Sequence, residues 1–232
     1  MTISNIEADN ISCTKALIIT SSGGGGLLQA ANAKEQELKK QDPNAQVLKK
    51  DLLRDWAWVW AGRLGISLYD KAQRLGDVKS LEKIINKQGL ADRLFFPSVF
   101  VAVLKTLIMN DVDLVIDTQP ICTSAILKAI RFYNRLWGKN VVMEKILVDL
   151  PTKKSTHFFQ PIKELSIYDK KLLKLIAIEP LLEENETESE FWQKTCGLNK
   201  ENIAYDGWCI RDSFKNYSST EPYPETFQIP VK

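Results

Sequence analysis

At 232 residues with 44% hydrophobic side chains, the chain is long enough to bury one sizeable α/β core and short for two full domains. Its 31 Lys and Arg against 29 Asp and Glu leave a net charge of +2, too little asymmetry to argue for a nucleic-acid partner. Cys13, Cys122, Cys196 and Cys209 are widely spread without a C-x-x-C pair, which argues against a disulfide framework or a thiolate metal site and reads as reduced thiols in a cytoplasmic protein.

The opening stretch from Met1 to Ser12 is polar and carries Glu7 and Asp9, unlike a secretory signal. Ala16 to Thr20 is short, apolar and β-rich, and it stops at Ser21-Ser22-Gly23-Gly24-Gly25-Gly26 before helix formers that run from Leu27 to Lys40. Pro43-Asn44 makes a turn, and Ala45 to Leu48 reads as a second strand ending at Asp51, completing one βαβ unit. Residues 56–89 are helical in character, and Pro97 is expected to open an apolar helix that continues to Asn110. A strand follows from Val112 to Ile116. Thr123 or Ser124 caps a helix to Trp137, Gly138 ends it, and Val141 to Val148 is the next strand. Beyond Asp149 a polar loop carries His157, the single histidine, and Leu172 to Ile178 is a further strand closed by Glu179-Pro180. The acidic run from Glu183 to Glu190 reads as a loop with a helix starting at Ser189 and stopping at Gly197, followed by a short strand near Ala204. The alternation predicts a Rossmann-like parallel sheet flanked by helices over residues 1–214, with 215–232 as a linker or the start of another domain. No run is apolar for long enough to span a bilayer, so contact with a membrane would be peripheral.

In an open parallel sheet the ligand crevice lies outside the carboxyl ends of the strands. That rule selects Ser21 to Gly26, Asp117 to Pro120, and the stretch from Asp149 to His157. Four glycines between strand and helix let a ligand approach the backbone and the positive helix end; alternatively they form a tight turn that lets the helix pack. The sequence lacks the Gly-Lys-Ser/Thr of a phosphate-binding loop and the spaced glycines of a dinucleotide fingerprint. Asp149 or His157 suits a general base, against the simpler readings of a capping carboxylate and a solvent-exposed imidazole. Trp56, Trp58 and Trp60, near Arg54 and Arg63, suit a membrane interface or a sugar-stacking surface, but alternate residues of a helix diverge, so core packing weighs equally. Lys39-Lys40, Lys49-Lys50, Lys153-Lys154 and Lys170-Lys171 would favour anionic lipid if they shared a face; a solvated surface is the simpler account. No metal ligand set is evident.

The order of these landmarks resembles the N-terminal, acceptor-side domain of monogalactosyldiacylglycerol synthases and of the peptidoglycan GlcNAc-transferase, two-domain (GT-B) glycosyltransferases. Ile18 to Gly26 resembles their opening strand and glycine loop, and Asp51-Leu52-Leu53 the end of their second strand. Val115 to Pro120 stands where they have a strand ending in His-Pro. Val148-Asp149-Leu150 with His157 resembles their Thr-Asp-Leu and histidine loop, and Gly207 to Phe214 the exit from the domain. The resemblance implies inverting transfer from a UDP-sugar co-substrate, without a further cofactor, to a lipid or lipid-linked acceptor. It implies that Gly23, Gly24, Gly25, Gly26, Gln119 and Arg211 contact substrate and that the donor is held by a second domain or a separate subunit. Two positions depart from the pattern: Gly26 and Gln119 stand where the family carries histidines. Asp149 or His157 then takes over as base, or the acceptor differs, or the chain is a noncatalytic acceptor-binding or membrane-recruiting subunit of a split glycosyltransferase. A stand-alone nucleotide-binding protein is the remaining alternative, disfavoured by the missing acidic ribose contact and phosphate loop.

Overall fold

The computed structural model describes residues 15–22, 25–57, 59–153 and 155–206, apart from the side chains of 59–64, 66, 70, 85, 86 and 156. Six parallel strands form one sheet in the order β2-β1-β3-β4-β5-β6, with β1 Lys15–Thr20, β2 Gln46–Asp51, β3 Leu114–Asp117, β4 Val142–Ile146, β5 Leu173–Ala177 and β6 Ile203–Tyr205. The expected Rossmann-like α/β fold is present. The central strands are short and apolar enough to be buried on both faces, whereas β2 and β6 form the partly exposed edges.

The chain leaves β1 through helix α1 (Gly25–Gln41) to β2, then crosses back over β1 to reach β3 and proceeds in one direction. Because such crossovers are right-handed, that reversal puts α1 on one face and the later helices on the other. The two hydrophobic clusters follow. Ile18, Ile116, Ile146 and Ile176 meet Ala30 and Ala31 of α1. Leu17, Ile19, Val115, Met143 and Leu175 meet the larger cluster built by α4 (Gln88–Asn110), α5 (Thr123–Trp137), α6 (Thr156–Lys163) and α8 (Glu188–Cys196). The β2-to-β3 connection also contains a π-helical turn (Leu52–Trp56), α2 (Val59–Leu75) and α3 (Val78–Asn86), and a short α7 (Ile167–Lys170) precedes β5.

Several boundaries differ from expectation, each for a local reason. Pro97 does not open α4 but lies inside it; it is exposed, so the backbone bond that it cannot donate is lost on the wet side, where water can replace it. Neither Thr123 nor Ser124 caps α5. Cys122 precedes it in the left-handed conformation at φ 61°, Thr123 occupies the first helical position, and Cys122 N–H is taken by Asp92 Oδ1 at 2.6 Å. His157 stands in the first turn of α6 rather than in a loop. α8 begins one residue before Ser189, held by a capping box in which Thr187 and Glu190 bond each other's backbone N–H. The sequence placed β3 two residues early, and its last residue, Asp117, belongs to the strand. The boundary expected at residue 214 lies outside the described residues. Among the described residues no helix is long and apolar enough to cross a membrane.

Candidate functional site

The strand order reverses between β1 and β3, which is where open α/β sheets hold ligands. Two hydrogen-bonded loops shape that end of the sheet. After β1, Ser22 N–H donates to Asp51 Oδ2 at 2.9 Å, while Asp51 Oδ1 accepts from the N–H groups of Leu53 and Arg54 at 3.1 and 3.0 Å. Asp51 thus ties the glycine loop to the turn after β2. After β3, Thr118 N–H donates to the Ile19 carbonyl at 3.0 Å, and its hydroxyl reaches Thr20 Oγ1 at 3.1 Å.

Helix α1 starts inside the glycine run, at Gly25, two residues earlier than expected. A Cβ built on Gly25 or Gly26 meets nothing within 4 Å. Close packing of the helix therefore does not require glycine at these two positions, and the space that they leave opens into a cavity.

Beneath the second loop lies a fully buried ion pair. Asp117 and Lys145 are register partners on β3 and β4, and Lys145 Nζ donates to Asp117 Oδ2 at 2.8 Å and also to the Gln119 carbonyl. Asp117 Oδ1 accepts from Gln119 N–H at 2.9 Å. Burial pushes the Asp117 carboxyl up, and the Lys145 ammonium and the Gln119 amide oppose that push. Burial also raises Asp92, on which Lys145 acts in the opposite sense. Gln88 of α4 completes the frame, donating through Nε2 to the carbonyls of Pro120 and His157 at 2.6 and 2.8 Å. These bonds fix the loop on which Gln119 stands. The Gln119 side chain is buried, and its Nε2 has no hydrogen-bond partner among the described residues.

The cavity above this floor measures about 500 Å³, within the range of small-ligand sites. Its polar lining includes Ser21, Gln88, Gln119, Asp149 and His157 together with the backbone of Gly25 and Gly26. Leu27, Leu53, Ile84, Phe95, Val148 and Phe158 supply much of the apolar wall. His157 Nε2 lies 3.1 Å from Asp149 Oδ2, with the imidazole 23% and the carboxylate 51% exposed. With Asp149 accepting from Nε2–H, the basic lone pair of the ring is on Nδ1, a tautomer assigned from this contact.

The structure thus gathers Gly25, Gly26, Gln119, Asp149 and His157 around one cavity. Gly23, Gly24, Trp58 and Arg211 lie outside the described residues, as does the side chain of Trp60. Trp56 is half-buried and packs against the main core. The first members of the lysine pairs are engaged within the protein: Lys39 and Lys49 meet on Glu35, whereas Lys153 is held by Glu183 and Glu186 and Lys170 by the Gly197 carbonyl. Cys122 and Cys196 are buried free thiols, both held above the usual thiol range by burial, Cys196 at about 11. Neither suits a nucleophile. Among the described residues no group of three or more His, Cys, Asp or Glu could hold a metal ion. Sequence reasoning missed the Asp117–Lys145 pair and the α3–α4 roof with Ile84, Gln88 and Phe95. The pair's signal was a lysine in an apolar strand beside a strand ending in aspartate. No protein-family model matches the chain, and no curated protein sequence matches it either.

Proposed function

We propose that this chain is the acceptor-side half of a UDP-sugar glycosyltransferase, that its cavity holds a lipid or lipid-linked acceptor, and that His157, oriented by Asp149, takes the proton of the attacking hydroxyl. The observation that carries this reading is the hydrogen-bonded Asp149–His157 pair on the wall of a cavity that also collects Gly25, Gly26 and Gln119. An imidazole with one nitrogen held by a carboxylate keeps the other free as a base, a combination suited to activating a hydroxyl. The predominantly apolar wall suits the hydrophobic part of an amphiphile. The Gln119 amide, unpartnered among the described residues, offers a donor to an oxygen of its polar end.

The chemistry balances with the two substrates and the His157 imidazole. The acceptor oxygen forms a bond to the anomeric carbon, the bond from that carbon to the diphosphate breaks, the proton passes to His157 Nδ1, and UDP departs on the donor unit. That unit is a second domain or a separate subunit. The test is UDP release from a panel of UDP-sugars, with vesicle-borne acceptors, by the chain joined to its donor unit. His157→Ala is expected to lower turnover by about 10²–10⁴-fold, and Asp149→Ala to lower it as well. Full turnover in both variants would remove the pair from the mechanism.

A second reading, a noncatalytic acceptor-binding or membrane-recruiting subunit, is favoured by Gly26 and Gln119 standing where the family that the sequence resembles has histidines. Retained acceptor binding with turnover unaffected by His157→Ala would select it.

A further inference from the structure

Helix α4 is apolar around its circumference, the pattern of a helix covered on all sides. Among the described residues the core covers one side of it, where Phe95, Val99, Val103 and Leu107 are buried. On the opposite side Leu90, Leu94, Pro97, Val101, Lys105 and Ile108 recur at three- and four-residue intervals and are exposed, Leu90 by 58% and Val101 by 61%. At 1.5 Å per residue this stripe is about 27 Å long. Phe100, on its shoulder, meets Phe132 of α5 edge-on at 6.2 Å, and exposed Phe132, Leu136 and Trp137 carry the apolar surface onto α5.

Charge decides what fits there. Together α4 and α5 carry Arg93, Lys105, Lys128, Arg131 and Arg135 against one carboxylate, Asp92, which is turned onto the Cys122 amide. Lys105 stands within the stripe, Lys128 lies 5.1 Å from the centre of the Phe96 ring, and Arg131 is held by Asp169 at 3.0 Å. A long apolar stripe with cations along it and a tryptophan at its edge has the composition of a surface that lies in the headgroup layer. We propose that the α4–α5 face docks on an anionic bilayer, with Leu94 and Val101 at the acyl boundary and Lys105, Lys128 and Arg135 against headgroup phosphates. Ala91 and Phe95 of the same helix line the cavity, so docking would set the cavity beside the lipid. That last consequence rests on the acceptor-binding reading; the docking itself does not.

Vesicle flotation tests it, reading partition and not sugar transfer, so the two proposals fail separately. The chain is expected to float with phosphatidylcholine vesicles that contain phosphatidylglycerol and to stay behind with phosphatidylcholine alone. Leu94→Glu with Val101→Glu should cut partition by about tenfold or more, and Lys105→Ala by about fivefold, an effect that fades at high salt. All three positions are exposed, and an unchanged thermal midpoint confirms that the variants fold. As a second readout, an environment-sensitive dye on Val101→Cys should shift to the blue when anionic vesicles are added. Three results would overturn the proposal: no flotation of the unvaried chain, unchanged flotation of the double variant, or flotation without a dye shift. Light scattering that showed a dimer dissolved by the double variant would assign the face to a second copy instead. Loss of flotation in Trp56→Ser with Trp60→Ser, with the double glutamate variant still bound, would move the contact to the tryptophan segment.

Discussion

Two acid–base pairs stand close together at the carboxyl end of the sheet, and their surroundings give them opposite roles. Asp117 and Lys145 are register partners on adjacent strands, 2.8 Å apart and wholly buried. Asp149 and His157, one just beyond β4 and the other in the first turn of α6, are 3.1 Å apart and open to the cavity. Lys145 uses its bonds on Asp117 and the Gln119 carbonyl, so that pair holds a loop. The open pair can exchange a proton with whatever enters. A charge removed from water can position its neighbours, whereas one left at the water's edge can do chemistry.

Breaking the buried pair should have the largest effect on stability. Lys145→Met leaves the Asp117 carboxylate buried without its cation, and chemical denaturation is expected to show a loss of about 3–5 kcal/mol. Replacing both partners, Lys145→Met with Asp117→Leu, should recover much of that loss, since an apolar pair leaves no orphaned charge. If the double variant is as unstable as the single one, the loop depends on the bonds to Gln119 more than on charge balance.

Asp92 sharpens the comparison through pH. Burial lifts its carboxyl above the ordinary aspartate range, so the folded chain keeps that proton to a higher pH than the unfolded chain does. Ionisation above both values therefore costs the folded state, while below the ordinary value both states are protonated and the cost vanishes. Asp92→Asn retains an oxygen for the Cys122 amide. It should stabilise the fold at neutral pH, and the gain should shrink as the pH falls through the raised native value and disappear below the ordinary one. A gain independent of pH in thermal unfolding would place its origin in packing.

The sheet was legible because its signals are local. Ala16 to Thr20 and Leu172 to Ile178 are apolar runs bounded by turn residues, and Gly138 and Gly197 adopt the left-handed conformation that ends a helix. The misreadings came where tertiary contacts outweigh local rules. Pro97 reads as a helix start from sequence, but its exposed position lets α4 continue through it. α6 is eight residues long and contains Pro161, so its stretch reads as loop. Lys145 could not be read as buried, because a strand with Glu144 and Lys145 side by side does not say which of them faces the core; only the register with Asp117 does. At the site, the glycine run was legible as a place of close approach, but not whether packing needed it. The open space around Gly25 and Gly26 bears on that question for both residues. Gly26→Ala should therefore stabilise the chain by about 0.5–1 kcal/mol while weakening acceptor binding, and destabilisation in a thermal melt would return the residue to a packing role.

The smallest expected change in stability belongs to the open pair. Asp149 is half exposed, so Asp149→Asn should alter the unfolding free energy by no more than about 0.5 kcal/mol. Its effect on the imidazole is larger. A carboxylate can only accept, which fixes the proton on Nε2 and leaves Nδ1 basic; an amide can donate to Nε2 instead and move the proton to Nδ1. Transfer should then fall by about 10²–10⁴-fold with the fold intact, and the His157 ring nitrogens should show the exchanged tautomer by NMR. A loss of stability on the scale expected for Lys145→Met would mean that Asp149 and His157 hold the start of α6 in place, and the two pairs would then differ in exposure but not in role.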